Sequence, residues 1–217
     1  SAGSDVYKRQ PVVEHLTWPD LRGKRCLDVA TFDGFFAFEM EKRGAAEVVA
    51  TDIADHEAWD WPADARDPES GRLPAFTGPP KGKGFEIARN ALGSKVQWVP
   101  INVYDLSPAA LGEFDFVFCG SLLVHLREPV RALEAIRSVC SGQLLSSESI
   151  DLWLSILHRG DPVARLNGVG KYCEWWTPSA KAHWQMVYSA GFAVDRVSRP
   201  YVVPFNAHPR PEPTPRR

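Results

Sequence analysis

The 217 residues are 44% hydrophobic with a formal net charge of −2, which suits one well-buried domain rather than two. So near-neutral a chain has no basic field to gather nucleic acid in bulk, and no run reaches the ~20 apolar residues of a membrane span. Four cysteines without a C-x-x-C pair read as reduced, buried thiols of a cytoplasmic protein, and six histidines without ligand spacing give no metal site.

Residues 1–10, SAGSDVYKRQ, follow no structural pattern and read as a non-native or disordered segment, with the natural start of the chain expected upstream. The folded domain is expected over 11–206, opening with a short helix around Val12 to Thr17. The stretch that organises the rest is Lys24 to Asp52. Cys26-Leu27-Asp28-Val29 reads as a buried strand, Ala30 to Gly34 as a tight turn, and Phe35, Phe36, Phe38 and Met40 as the apolar side of a helix. Asp33 is placed to cap that helix and Gly44 to end it. Val48-Val49-Ala50-Thr51 is then a second strand finishing on Asp52, 18 residues after Gly34.

Such a strand-helix-strand unit holds nucleotide-like ligands. Amides at the turn meet the ligand at a helix N-terminus, and an acid at the second strand tip accepts both ribose hydroxyls. A dinucleotide site expects G-x-G-x-x-G, whereas this turn carries Ala30, Phe32 and Gly34. Asp28 and Asp33 would also repel a pyrophosphate. The same charges suit S-adenosylmethionine (SAM), which has no phosphate and carries an ammonium and a sulfonium.

After Asp52, residues 54–84 hold Trp59, Trp61, five prolines and four glycines, too long and irregular for an ordinary connection. They read as a lid-like insertion whose tryptophans offer stacking surfaces, or as a solvated excursion. Phe85 to Leu92 reads as a helix and Lys95 to Val99 as the third strand, followed by Asn102-Val103. Phe114 to Cys119 is the fourth strand, leaving through Gly120-Ser121 to His125. Val130, Leu133, Ile136 and Val139 give the next helix a core-facing stripe behind Pro129. Gln143 to Ser147 is the fifth strand, with Glu148 at its exposed end. Residues 149–176 form a substrate-side segment, with Glu174, Trp175 and Trp176 as acceptor walls or core. Thr177-Pro178 starts a helix that Gly191 stops, and Phe192 to Val197 with Tyr201 to Phe205 form a closing hairpin. The Pro/Arg-rich tail, 207–217, has no means of burying itself.

Leu27-Asp28-Val29-Ala30-Thr31-Phe32-Asp33-Gly34-Phe35-Phe36 resembles the first motif of class I SAM-dependent methyltransferases, in particular the subgroup around the tRNA wobble-uridine methyl- and carboxymethyltransferases. The resemblance runs on through Asn102-Val103-Tyr104-Asp105-Leu106, Phe114 to Gly120, His125-Leu126-Arg127-Glu128-Pro129 and Trp175-Trp176-Thr177-Pro178-Ser179. It implies an α/β Rossmann-like fold with a seven-stranded, mostly parallel sheet in the order 3-2-1-4-5-7-6, the last strand antiparallel. It places the cofactor on Asp28, Ala30, Thr31, Phe32, Asp33, Gly34, Asp52, Ile53, Asn102, Val103, Cys119 and Gly120, with adenine against Asn102 and Val103. From the residues themselves, Trp59, Trp61, Glu174, Trp175 and Trp176 are the candidate acceptor contacts, with a solvated excursion or core packing as the alternative. His125 and Glu148 are the candidate bases, each with a purely structural alternative. The carboxymethylating enzymes carry Tyr-His where this chain has Val124-His125, and valine cannot donate a hydrogen bond to an extra cofactor carboxylate. Ordinary SAM and a small-molecule acceptor are therefore expected, with methylation at oxygen or nitrogen. A tRNA-directed enzyme, a non-catalytic cofactor-binding domain and a NAD(P)-dependent oxidoreductase are the alternatives. Oligomeric state is not legible.

Overall fold

The computed structural model describes residues 10–66, 69, 81–167 and 174–202. Expectations for residues 1–9, for Cys173 and for the tail from 203 fall outside these, as does much of the insertion, at 67–68 and 70–80. The chain divides by its contacts into a larger unit, Asp20–Asp195, and a smaller one formed by the two ends. In the smaller unit helix α1, Gln10–His15, places His15 in a stack with Tyr201, ring centroids 4.5 Å apart.

The larger unit is a five-stranded parallel sheet in the order β3-β2-β1-β4-β5. Strand β1, Arg25–Val29, lies between β2, Glu47–Asp52, and β4, Phe114–Gly120. Strands β3, Gln97–Pro100, and β5, Cys140–Ser147, take the edges. Central parallel strands are covered on both faces, so β1 and β2 are buried along nearly their whole length. On one face Leu27, Val29, Val49, Val117 and Cys119 pack on helix α6, Pro129–Val139, and helix α8, Ala180–Ser189. On the other lie helix α2, Phe35–Lys42, and helix α4, Lys83–Leu92, with Phe36 against Phe118 and Phe38 stacked on Phe85. Short helices α3, Ala63–Arg66, α5, Pro108–Leu111, and α7, Leu152–Leu157, lie in the connections.

Helix ends follow their residues. Gly44 takes φ +87° after α2, with its amide bonded to the Glu41 carbonyl and that of Ala45 to the Met40 carbonyl, the paired bonds of a Schellman end. Gly191 ends α8 the same way, at φ +90°. At the start of α2 the structure departs from expectation. Asp33 does not cap the helix; Gly34 holds the cap position at φ +86° without a side-chain bond. Asp28 substitutes from the neighbouring strand, its Oδ2 accepting from the Ala37 amide in the first turn.

Two further expectations are corrected. Among the described residues the sheet has five strands, not seven, and none of those from 192 to 202 is a strand, Pro200 offering no amide to a ladder there; positions 203–205 of the expected hairpin lie outside the described residues. A separate antiparallel pair forms instead, β6, Ala164–Leu166, with β7, Trp176–Pro178. This pair also displaces the helix start expected at Thr177-Pro178. The Thr177 hydroxyl accepts from Asn167 Nδ2 across the pair, so capping passes to Ser179, whose Oγ accepts from the Ala182 amide.

Candidate functional site

The carboxyl ends of β1 and β4 are adjacent, and the chain leaves them in opposite directions along the sheet, the switch point at which open α/β sheets bind ligands. Backbone strain collects there. Ala30 and Phe32 after β1 and Ser121 after β4 all adopt left-handed φ, between 53° and 57°, though none is glycine. Gly34 is required for space as well as angle, since a Cβ would stand 2.6 Å from the Phe38 and Phe85 rings.

The three aspartates of the motif have different settings. Asp28 is 1% exposed and turned under the bend, accepting from the Thr31 hydroxyl at 2.6 Å and the Ala37 amide at 3.1 Å. Asp33 is exposed and lies against Gly84, where an added Cβ would collide with its carboxylate. Asp52, at the tip of β2, accepts from the amides of Phe32 (3.0 Å) and Ile53 (2.8 Å) and faces Lys81 Nζ at 3.4 Å. The Thr31 amide is bonded to the Thr51 carbonyl and that of Gly34 to the Thr31 carbonyl. Three of the turn's amides, those of Thr31, Phe32 and Gly34, are therefore bonded within the protein and are not offered to a phosphate.

Beyond the third strand, Asn102 Oδ1 caps a 3-10 turn by accepting from the Tyr104 amide, and Val103 is nearly buried in the core. Cys119 is buried at the end of β4, and burial with Glu148 and Asp28 nearby raises its thiol well above the usual range, so it stays neutral and inert. Gly120 follows, where an added Cβ would meet the Phe118 ring at 2.7 Å.

The insertion is stitched over the sheet end by Asp60. Its Oδ2 accepts from the Tyr104 hydroxyl and the Arg127 amide, both at 2.7 Å, and its carbonyl accepts from Trp175 Nε1 at 2.5 Å. Arg127 adds a bond to the Trp61 carbonyl and stacks over the Trp175 ring. The paired tryptophans thus part in role. Trp61 is 1% exposed and serves as the insertion's own core, whereas Trp59 is half-buried, stacks on Trp61 and lies 5.0 Å from Lys81 Nζ. Glu174, Trp175 and Trp176 are half-buried, with Trp176 Nε1 donating to the Arg127 carbonyl.

Glu148 does not have the solvated carboxylate its place at a strand end suggests. Oε1 accepts from the Leu122 and Leu123 amides, which open the 3-10 turn Leu123–His125, and Oε2 is buried without a hydrogen-bond partner. Burial raises the group to about 8, against the pull of those amides. It lines a narrow crevice with Leu123, Val124, Trp176, Pro178, His183 and Met186. His183 on α8 pairs with Ser146 at 2.8 Å and is lowered by burial to about 4.

Lys81, Asp60, Tyr104, Ser146 and His183 are the functional candidates that sequence reasoning missed. A lysine near a glycine-rich connection and a histidine within a helix carry no local signal.

No protein-family model matches the chain. Among curated proteins it is 32% identical over 116 residues to the ubiquinone biosynthesis O-methyltransferase of Neisseria meningitidis, covering 54% of this chain and 39% of that protein. It is 26% identical over 194 residues to the tRNA U34 carboxymethyltransferase of Pseudomonas fluorescens, covering 86% and 50%. The chain thus spans half or less of the length of these relatives. Among solved structures, a SAM-dependent methyltransferase of Mesorhizobium loti superposes with a TM-score of 0.54 at 13% identity, covering 89% of this chain and 83% of that one. The fold is the α/β Rossmann-like fold of SAM-dependent methyltransferases. A second such methyltransferase, from Aquifex aeolicus, gives 0.53 at 18% identity over 88% and 83%. A Burkholderia thailandensis N1-methyltransferase, solved with 1,6-didemethyltoxoflavin and S-adenosylhomocysteine (SAH) bound, gives 0.52 at 17% over 80% and 63%.

Proposed function

We propose that this protein binds SAM at the β1–β2 turn and transfers a methyl group to an oxygen or nitrogen of a small-molecule acceptor. The observation that carries the proposal is the buried Asp52 carboxylate, at the tip of β2 next to the switch point and against a turn in which the amides of Thr31, Phe32 and Gly34 are already bonded. A pyrophosphate would need those amides. An adenosyl group needs a carboxylate for its diol and apolar walls for its base, which Asp52, Ile53, Phe32 and the Asn102-Val103 turn supply. Asp33, exposed at the mouth, adds negative charge toward a cationic ligand, while Asp28 works from beneath by holding the turn to α2.

When bound, the cofactor supplies a methyl group on a positively charged sulfur. The chain then has to align an acceptor and take its proton. Below a pH of about 8 the Glu148 carboxyl is held neutral, so it is a poor proton acceptor at neutrality. Its bonds to the amides of the 3-10 turn make it a positioning residue for the loop that carries His125. His125, half-buried at the end of that turn, is the candidate base. Val124 in place of a hydrogen-bonding side chain supports ordinary SAM.

Titration calorimetry with SAM, SAH and NAD tests the reading. SAM and SAH are expected to bind and NAD to be silent; NAD binding with SAM silent overturns it. The similarity to a tRNA-modifying enzyme over 86% of the chain favours one second reading, tRNA as acceptor. Filter retention of bulk tRNA, steeply weakened by salt, would shift the proposal there.

A further inference from the structure

Lys81 precedes helix α4, and its ammonium stands 3.4 Å from both Oδ1 and Oδ2 of Asp52. The two side chains are only 7% and 8% exposed. Two aromatic rings flank the cation, Phe32 at 5.3 Å and Trp59 at 5.0 Å. The pair makes electrostatic sense, because a buried carboxylate holding two backbone amides still carries a full charge that needs a partner. Its position is the point of interest. A cation equidistant from both carboxylate oxygens stands where a vicinal diol would stand if it donated one hydroxyl to each.

We propose that Lys81 is an internal competitor for the cofactor: it holds Asp52 in the ligand-free protein and must leave before a ribose diol can take the carboxylate. The inference rests on the SAM reading above. Lys81 then sets cofactor affinity, since the apparent Kd is the intrinsic one divided by the fraction of molecules in which Asp52 is open. Phe32 and Trp59, which flank the ammonium in the closed state, flank the nucleoside in the open one. Lys81 adjoins Gly82, which caps α4, so the exchange involves a side chain carried outside the sheet and leaves the strands in place.

The test uses the full chain and SAH, whose sulfur is neutral and adds no repulsion of its own. Lys81→Met and Lys81→Ala are titrated beside the unsubstituted protein and Lys81→Arg. The neutral variants are expected to bind SAH about 3- to 10-fold more tightly, as removal of a partly buried ion pair implies, with Lys81→Arg within about twofold of the parent. In the unsubstituted protein, pulsed acetylation read by mass spectrometry is expected to find Lys81 protected alone and reactive with saturating SAH. This arm decides the matter if the neutral variants fail to fold. SAH binding equally or more weakly to the neutral variants, with Lys81 labelling unchanged by ligand, overturns the competitor and leaves the SAM reading standing. SAH binding to none of the proteins overturns both.

Discussion

Asp28 and Asp52 lie near the carboxyl ends of neighbouring strands, yet their surroundings assign them different work. Asp28 has donors from its own turn and from α2, so its charge is consumed in joining strand to helix. Asp52 has its donors on one side and Lys81 on the other, so its charge faces the cleft. Asp52→Ala is expected to weaken SAH binding by about 1.5 to 3 kcal/mol, the cost of losing charged hydrogen bonds, as measured by calorimetry. Loss of the competing Lys81 contact offsets part of this and places the result toward the lower end. Unchanged affinity would mean that the ribose lies elsewhere.

Among the elements, the junction of β4 and β5 depends most on a single residue. The register slips there, Phe114 opposing Cys140 while Phe116 opposes Gln143, so that Ser141 and Gly142 bulge. A Cβ on Gly142 would drive into the backbone of Asp115, whose carboxylate in turn accepts from the Arg25 amide on β1. Gly142→Ala is expected to destabilise the protein by about 1 to 3 kcal/mol, the usual cost of overpacking, read as a lowered denaturation midpoint in urea. A neutral result would show that β4 and β5 can separate at that end without cost. The insertion after β2 depends on one side chain in a similar way, through Asp60, which draws together Tyr104, Arg127 and Trp175 from three later connections.

At the scale of the molecule, two half-buried titratable groups give stability opposite dependences on pH. Glu148 is raised from 4.5 to about 8, so its contribution is complete below 4.5 and is lost as pH climbs toward 8. His183 is lowered from 6.5 to about 4, so its contribution is complete above 6.5 and is lost as pH falls toward 4. Thermal unfolding of Glu148→Gln is expected to lose the alkaline decline, raising Tm at pH 8 relative to pH 5 by a few degrees compared with the parent. His183→Gln is expected to lose part of the acid decline. Parallel pH profiles for variant and parent would show that these groups are solvated. What the sequence by itself determined is the run from Cys26 to Asp52, its strands, turn and glycine-ended helix, because periodicity and caps act over a few residues. The order of the five parallel strands follows from the same signals together with the family resemblance. Tertiary structure alone decided that Lys81 faces Asp52, that Glu148 is buried against an amide turn, that Trp61 is core while Trp59 is not, and that residues 164–166 pair with 176–178. Each of these joins residues distant in the chain or turns on which side of a side chain is covered, and no local pattern of charge or hydrophobicity encodes either.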